Sequence, residues 1–424
     1  MNIRQWIALM NKKLFLNILL IFCSNEAAAA ESGALFNITT NGTRENIDIT
    51  LCLNGKGPVS CQKFTVSALN MMINTILPLH DYPACGIRVD TPGYMLSGCI
   101  PSNNGFCLFS SNSTIATNIV ASHRNYERVI IGNPGNANDP STGFGGINYI
   151  YQMGKYPVTI AQYTAFLNAV AKNDSYQLYN PNMASDLNIA GIKQYGSAGN
   201  YTYQVMDNNG ISANRPITYI SWFNAARFAN WMSNNQPTGN QDNSTTEDGA
   251  YPLHGAVSGP SVVKNTINPN TGSAPQFYIP SHNEWYKSAY YNPELNGGAG
   301  GYTIYATQSN TAPGNAQGSS PNQANYFIPQ LGFSVNNSLV YSPFTLNYLT
   351  DVGSFVASNS YYGTFDQNGN ASQLYQCDEH SSLYYCSQGG YWFSGSAPMQ
   401  KGLFSMDTLT SVNSSNGFRL ASPQ

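Results

Sequence analysis

Eight cysteines stand among the 424 residues, and they are the side chains with the widest choice of chemistry. A thiolate can attack, hold a soft metal ion or close a disulfide, and spacing narrows the choice. Three pairs are close neighbours around turn-like stretches. Cys52 and Cys61 enclose Leu53-Asn-Gly-Lys-Gly-Pro-Val-Ser60, Cys99 and Cys107 enclose Ile100-Pro-Ser-Asn-Asn-Gly-Phe106, and Cys377 and Cys386 enclose Asp378-Glu-His-Ser-Ser-Leu-Tyr-Tyr385. Sequence does not fix connectivity, but the simplest reading is three disulfides, each stabilising by about 2–3 kcal/mol. Cys23 falls in the N-terminal leader described below, and Cys85 is left over and reads as a small buried hydrophobe. A zinc-type site fails on spacing, because no Cys-x-x-Cys occurs and the five histidines are scattered.

The remaining candidates are weaker. Asp366, Asp378 and Glu379 could form a carboxylate cluster for acid–base work, but they read better as solvated loop positions. Ser394 has His380 as its nearest histidine, which is a poor start for a nucleophile with a base. His282 falls in the first turn of a helical stretch and reads as a surface residue. No phosphate loop or dinucleotide fingerprint is present.

Composition sets the background for these residues. Only 18 basic and 21 acidic residues occur, 9% of the chain, against roughly 25% in an average domain. Hydrophobic residues reach 42%, so the shortage of charge is not a mark of disorder. A net charge of −3 without a basic stripe argues against a nucleic-acid partner. The 29 tyrosines and 38 glycines fill the gap.

The elements that would position these side chains divide the chain. Residues 1–30 read as a signal peptide: Arg4, Lys12 and Lys13 precede the apolar run Leu14–Phe22, and Ala27–Ala30 offer the cleavage site. That run is too short for a bilayer, which needs about 20 residues, and Phe22 before Cys23 argues against a lipid anchor. The expectation is export, to a secreted, periplasmic or cell-surface location, without a later transmembrane segment. Residues 31–122 alternate with the period of strands, as in Ile47–Leu53 and Phe64–Leu69, and predict a small all-β, sandwich-like module. Residues 123–146 read as a linker. From 147 to 424 the texture is α+β and loop-rich. Thr159 caps a helix carrying Ile160, Tyr163, Phe166, Leu167 and Val170, and Ser221 caps another carrying Trp222, Ala225, Ala226, Ala229 and Met232. Ser281-His-Asn-Glu284 is a capping box ahead of Trp285 and Tyr286.

Six motifs in order give this region a resemblance. They are Tyr156–Phe166, Arg215–Arg227, Ile279–Trp285, Gly363–Asn370, Gly389-Gly-Tyr-Trp392 and Asn416-Gly-Phe-Arg-Leu420. From about residue 125 to 424 the chain resembles the formylglycine-generating enzyme family, or sulfatase-modifying factors. The resemblance implies a loop-rich variant of the C-type lectin fold. Oxidising members use two cysteines, five positions apart, to hold copper(I), which selects sulfur ligands. Here those positions fall at Ser394 and Met399, and a hydroxyl and a thioether do not replace two thiolates, so copper is not expected. The family motif that helps to bind calcium becomes Gly369-Asn-Ala-Ser-Gln-Leu374, which leaves Asn370 and Gln373 as weak calcium candidates. No catalytic residue is assigned, and no cofactor is required. The reading leans away from an enzyme and towards a module that binds a glycan or protein through Tyr384, Tyr385, Tyr391, Trp392 and Phe393, since aromatic residues suit such surfaces. The rival reading is an oxidoreductase of the family acting on a protein cysteine through a divergent site.

Overall fold

The computed structural model describes residues 126–377 and 383–424 in full, and the backbone of eight strands between Gly33 and Ala121. The expected signal peptide, together with Cys99, Asp378, Glu379 and His380, lies outside the described residues. The chain divides after Ala121 into two compact units.

The first unit contains β1 (Gly33–Thr40), β2 (Ile47–Asn54), β3 (Ser60–Val66), β4 (Met72–Pro78), β5 (Ala84–Val89), β6 (Tyr94–Leu96), β7 (Cys107–Ser110) and β8 (Ile115–Ala121). They form two four-stranded sheets, ordered β4-β1-β8-β6 and β3-β2-β5-β7. No helix occurs among its described residues, as the period-two alternation predicts. Cys52 and Cys61 are register partners across the β2–β3 pair.

The second unit begins earlier than the sequence suggests. Much of the stretch 123–146, read as a linker, is folded into it: β9 (Arg128–Ile131) pairs with β10 (Tyr151–Gly154). The turn-forming residues between them conceal the pairing, because a single four-residue strand carries too few positions for an alternation to stand out.

Three helices build the interior. In α1 (Ile160–Val170) the Thr159 hydroxyl accepts from the Gln162 amide, while the Gln162 side chain accepts from the Thr159 amide. Helix α2 (Trp222–Ser233) opens on the same reciprocal cap between Ser221 and Asn224, and all twelve of its residues are buried. Helix α3 (His282–Tyr290) opens on the capping box of Ser281 and Glu284. Each cap satisfies N–H groups that the first turn leaves without partners. Tyr163, Phe166, Phe228 and Trp231 interlock between α1 and α2, with centroids 5.2–6.0 Å apart. Truncating one such ring to alanine removes about 3–5 kcal/mol.

A four-stranded sheet follows, ordered β13-β12-β11-β14, with β11 (Ser372–Tyr375), β12 (Tyr384–Gln388), β13 (Phe404–Thr408) and β14 (Asn416–Phe418). A disulfide joins Cys377 to Cys386, as expected, at the turn end of the β11–β12 hairpin. The last strand, β15 (Ala421–Pro423), returns to pair with β10. Few long helices, small sheets and long loops make this the α+β, loop-rich architecture that the sequence predicts.

Candidate functional site

The Gly389-Gly390 turn sets the geometry of the site. Gly389 has φ +105°, and a Cβ there would lie 2.4 Å from the Gln367 carbonyl oxygen. A Cβ on Gly390, at φ +69°, would lie 2.9 Å from Ser394 Oγ and 2.8 Å from Met399 Cγ. Neither position admits a side chain, so the glycines let strand β12 turn tightly against two neighbours. Ser394 and Met399 therefore sit on one spot, beside Gly390. Ser394 Oγ closes this turn by accepting from the Tyr391 amide at 3.0 Å and donating to the Tyr391 carbonyl at 2.9 Å. Met399 is fully buried against Tyr305, Ala324 and Tyr326.

Beside this turn, over one face of the sheet, lies a cleft of about 320 Å³. The register explains its wall: Tyr385 is opposite Asp407, and Ser387 opposite Ser405. Ser387, Ser405, Asp407, Ser415 and Asn416 supply hydroxyl, carboxylate and amide groups, and Tyr391 and Phe404 form apolar parts of the rim. Beneath them the Asn416 amide donates to the Tyr385 hydroxyl at 2.9 Å and to Asp407 Oδ2 at 3.4 Å. Burial holds the Tyr385 phenol well above its ordinary range, so it stays protonated. Among the described residues, no three His, Cys, Asp or Glu side chains gather as a metal site. The chemistry on offer is hydrogen bonding to a polar ligand together with an aromatic contact.

The five aromatic residues expected to form one binding surface do not converge. Tyr385 is fully buried, and Trp392 is 6% exposed. The Trp392 ring stacks on Tyr348 at 4.6 Å inside a cluster with Phe333. Both are core residues. The reason is local: strand alternation sends Tyr385 inward where its neighbour Tyr384 points out, and the tight turn rotates Trp392 inward between Tyr391 and Phe393. Tyr384 and Phe393 are exposed and Tyr391 is half-buried at the cleft. Phe393 leans on Phe333 and Tyr341, away from the serine-lined wall.

The weak calcium candidates are engaged by protein donors. Asn370 Oδ1 accepts from Asn325 Nδ2 and from the Thr350 amide, both at 3.1 Å. Gln373 Oε1 accepts from Trp285 Nε1 at 3.0 Å and from the Arg419 guanidinium at 2.6 Å. An amide oxygen that already faces a guanidinium is a poor place for a second cation. Asp366 sits in the same neighbourhood; its carboxylate accepts from the Gly353 amide, and burial pushes its pKa up to about 6. His282, expected at the surface, is 3% exposed and lies between Phe144 and Tyr375 at 3.9 and 4.7 Å. Burial lowers its pKa to about 4, so it is neutral at pH 7.

Sequence reasoning missed Ser387, Ser405 and Asp407, and named Asn416 only as part of a motif. The available signal was the alternation along β12 and β13, which only the register between them turns into a shared wall.

The described geometry, a loop-rich α+β domain organised around a double-glycine turn, defines the class. The sulfatase-modifying factor enzyme 1-like domain matches residues 148–423, more than half of the chain, and the chain belongs to that family. No curated protein matches it. Among solved structures, similar chains include CarF (17% identity, TM-score 0.42, covering 70% of this chain and 98% of that one). Treponema denticola variable protein 1 is similar at 13% identity and TM-score 0.40, over 70% and 95% of the two chains. PvdO from Pseudomonas aeruginosa is similar at 15% identity and TM-score 0.34, over 70% and 92%.

Proposed function

We propose that this domain is the ligand-binding part of an exported protein, and that its cleft takes an extended protein segment rather than a glycan. The observation that carries this reading is the open outer edge of β13 beside the cleft. Strand β13 stands at the end of its sheet, and no described strand pairs with its outer side. Met406 is 40% exposed on it, and Leu403, just before it, is 49% exposed. An added strand would satisfy the edge amides and carbonyls, while alternate side chains reach the serine-lined wall. The positions that carry copper thiolates in oxidising relatives hold Ser394 and Met399 here, so binding proceeds without copper, and calcium is not required. The signal-like first thirty residues support a secreted, periplasmic or cell-surface location. Selection of a displayed peptide library against the mature protein is expected to return extended segments. Their affinity falls at least tenfold in Tyr391→Ala and in Met406→Pro. Failure to select any peptide, or binding indifferent to both substitutions, refutes the proposal.

A further inference from the structure

A larger concavity, about 650 Å³, lies between residues 173–181, the head of α2 and the turn at 410–412. We propose that it is a second binding site, separate from the cleft, for a neutral saccharide.

Its size is that of small-molecule sites, and polar groups converge on it from distant parts of the chain. The amides of Gln177, Gln194 and Asn224 line it, with the Asp174 carboxylate and the rings of Tyr201 and Tyr219. The Gln177 amide and the Gln194 amide oxygen can donate to and accept from sugar hydroxyls, whereas the Asn224 amide and the Asp174 carboxylate are engaged by the protein and shape the wall. Tyrosine rings supply a flat apolar face for the C–H side of a pyranose and a hydroxyl at the edge.

The electrostatics select against an anion. Arg227 is the one basic side chain in the lining, and its charge is already used. Its Nε and Nη2 donate to Glu247 at 2.7 Å each, and Nη2 also donates to the Ala256 carbonyl at 2.9 Å. The Tyr176 ring covers the guanidinium at 4.2 Å. A phosphate or sulfate entering the cavity would meet Asp174 and find no uncommitted cation in the lining.

The backbone gives independent support. Three lining residues other than glycine have left-handed φ: Asp174 at 49°, Gln177 at 53° and Tyr219 at 58°. That conformation is uncommon, and for a tyrosine it is an outlier that its surroundings must hold. They do so. The Asp174 carboxylate accepts from the amides of Leu178 and Tyr179 at 2.7 and 3.1 Å. The Gln177 carbonyl accepts from Asn224 Nδ2 at 3.1 Å, and the Tyr219 hydroxyl donates to Asp186 Oδ2 at 2.8 Å. The walls are thus fixed in shape before any ligand arrives, which lowers the ordering cost of binding.

The test is an array of neutral oligosaccharides with their sialylated and sulfated counterparts, probed with the mature full-length protein. Retention of at least one neutral glycan is expected, at least tenfold above its anionic counterparts. Val257 lies in the lining and is 51% exposed, so Val257→Trp narrows the mouth without disturbing the core, and a tenfold or greater loss is expected. Gln194→Ala is expected to cause a similar loss. Val263→Trp, at a position 85% exposed and outside the lining, serves as the control and retains binding. Retention of no neutral glycan, preference for the anionic ones, or equal binding by Val257→Trp would each overturn the proposal.

Discussion

Two guanidiniums are fully buried in this domain, and their surroundings differ. Arg227 on α2 meets a carboxylate, Glu247, through two hydrogen bonds of 2.7 Å. Arg419, after β14, meets no carboxylate directly. It donates to the Gly154 and Phe365 carbonyls at 2.8 and 2.6 Å and to the Gln373 amide oxygen at 2.6 Å. Burial lowers the Arg419 pKa to about 10, still above neutral pH, so the charge persists in a cage of neutral dipoles. His282, with no hydrogen-bond partner at its Nε2, takes the third course and remains uncharged. Arg419 thus keeps its charge among neutral acceptors, whereas His282, with one ring nitrogen left unpartnered, stays neutral.

That comparison breaks most visibly at Arg419. Arg419→Met strands two backbone carbonyls and removes one of the two hydrogen bonds that Gln373 Oε1 accepts, and the expected loss is about 5 kcal/mol by denaturant unfolding. A loss below about 1 kcal/mol would mean that the cage relaxes or hydrates freely. At the paired site, Glu247→Gln leaves Arg227 without its counter-charge and is expected to cost about 4 kcal/mol. The double variant Arg227→Met, Glu247→Leu should recover part of that loss, since both buried charges leave together. A double variant no more stable than Glu247→Gln would contradict this account.

At His282 the sign follows from the folded pKa of about 4 lying below the ordinary 6.5. The unfolded chain takes up the proton first, so stability present above pH 6.5 is lost as pH falls towards 4. The loss is up to about 3 kcal/mol relative to His282→Phe, measured as the difference between the two proteins' stability curves. Asp366, with its folded pKa raised to about 6, acts in the opposite direction: the folded state binds its proton first, so this contribution weakens as pH rises from 3.8 through 6. It is common to both proteins and cancels in the difference. Parallel curves would show that His282 titrates at its ordinary value. The smallest expected effect is covalent. Replacing Cys377 and Cys386 by serine removes a closure over a sequence separation of 9 and should cost about 2 kcal/mol.

Much of the scaffold was legible because its signals are local. Thr159, Ser221 and Ser281 each announce a helix within four residues, and the apolar spacing after Thr159 names its buried face. The close cysteine pair 377 and 386 announces its own disulfide. The candidate sites were less legible because they are assembled from afar. The cleft needs the register of β12 against β13, and the second cavity joins residues near 175, 220 and 411. A run such as Tyr391-Trp-Phe393 is equally apolar throughout, so hydrophobicity alone does not say which ring turns inward. The burial of His282 was hidden for the same reason: its cover comes from Phe144, Tyr375 and Phe404, none of them neighbours in sequence.

The return of β15 to β10 has a consequence for how the domain comes into being. Arg419, Leu420 and Ala421–Pro423 complete contacts with Gly154, Tyr126 and Tyr151. These pairings span more than 260 residues, so the entropy of closing that loop is offset only once residues 419–423 are in place. The second unit is therefore closed by a short stretch, residues 419–423, that latches strands lying far earlier in the same unit.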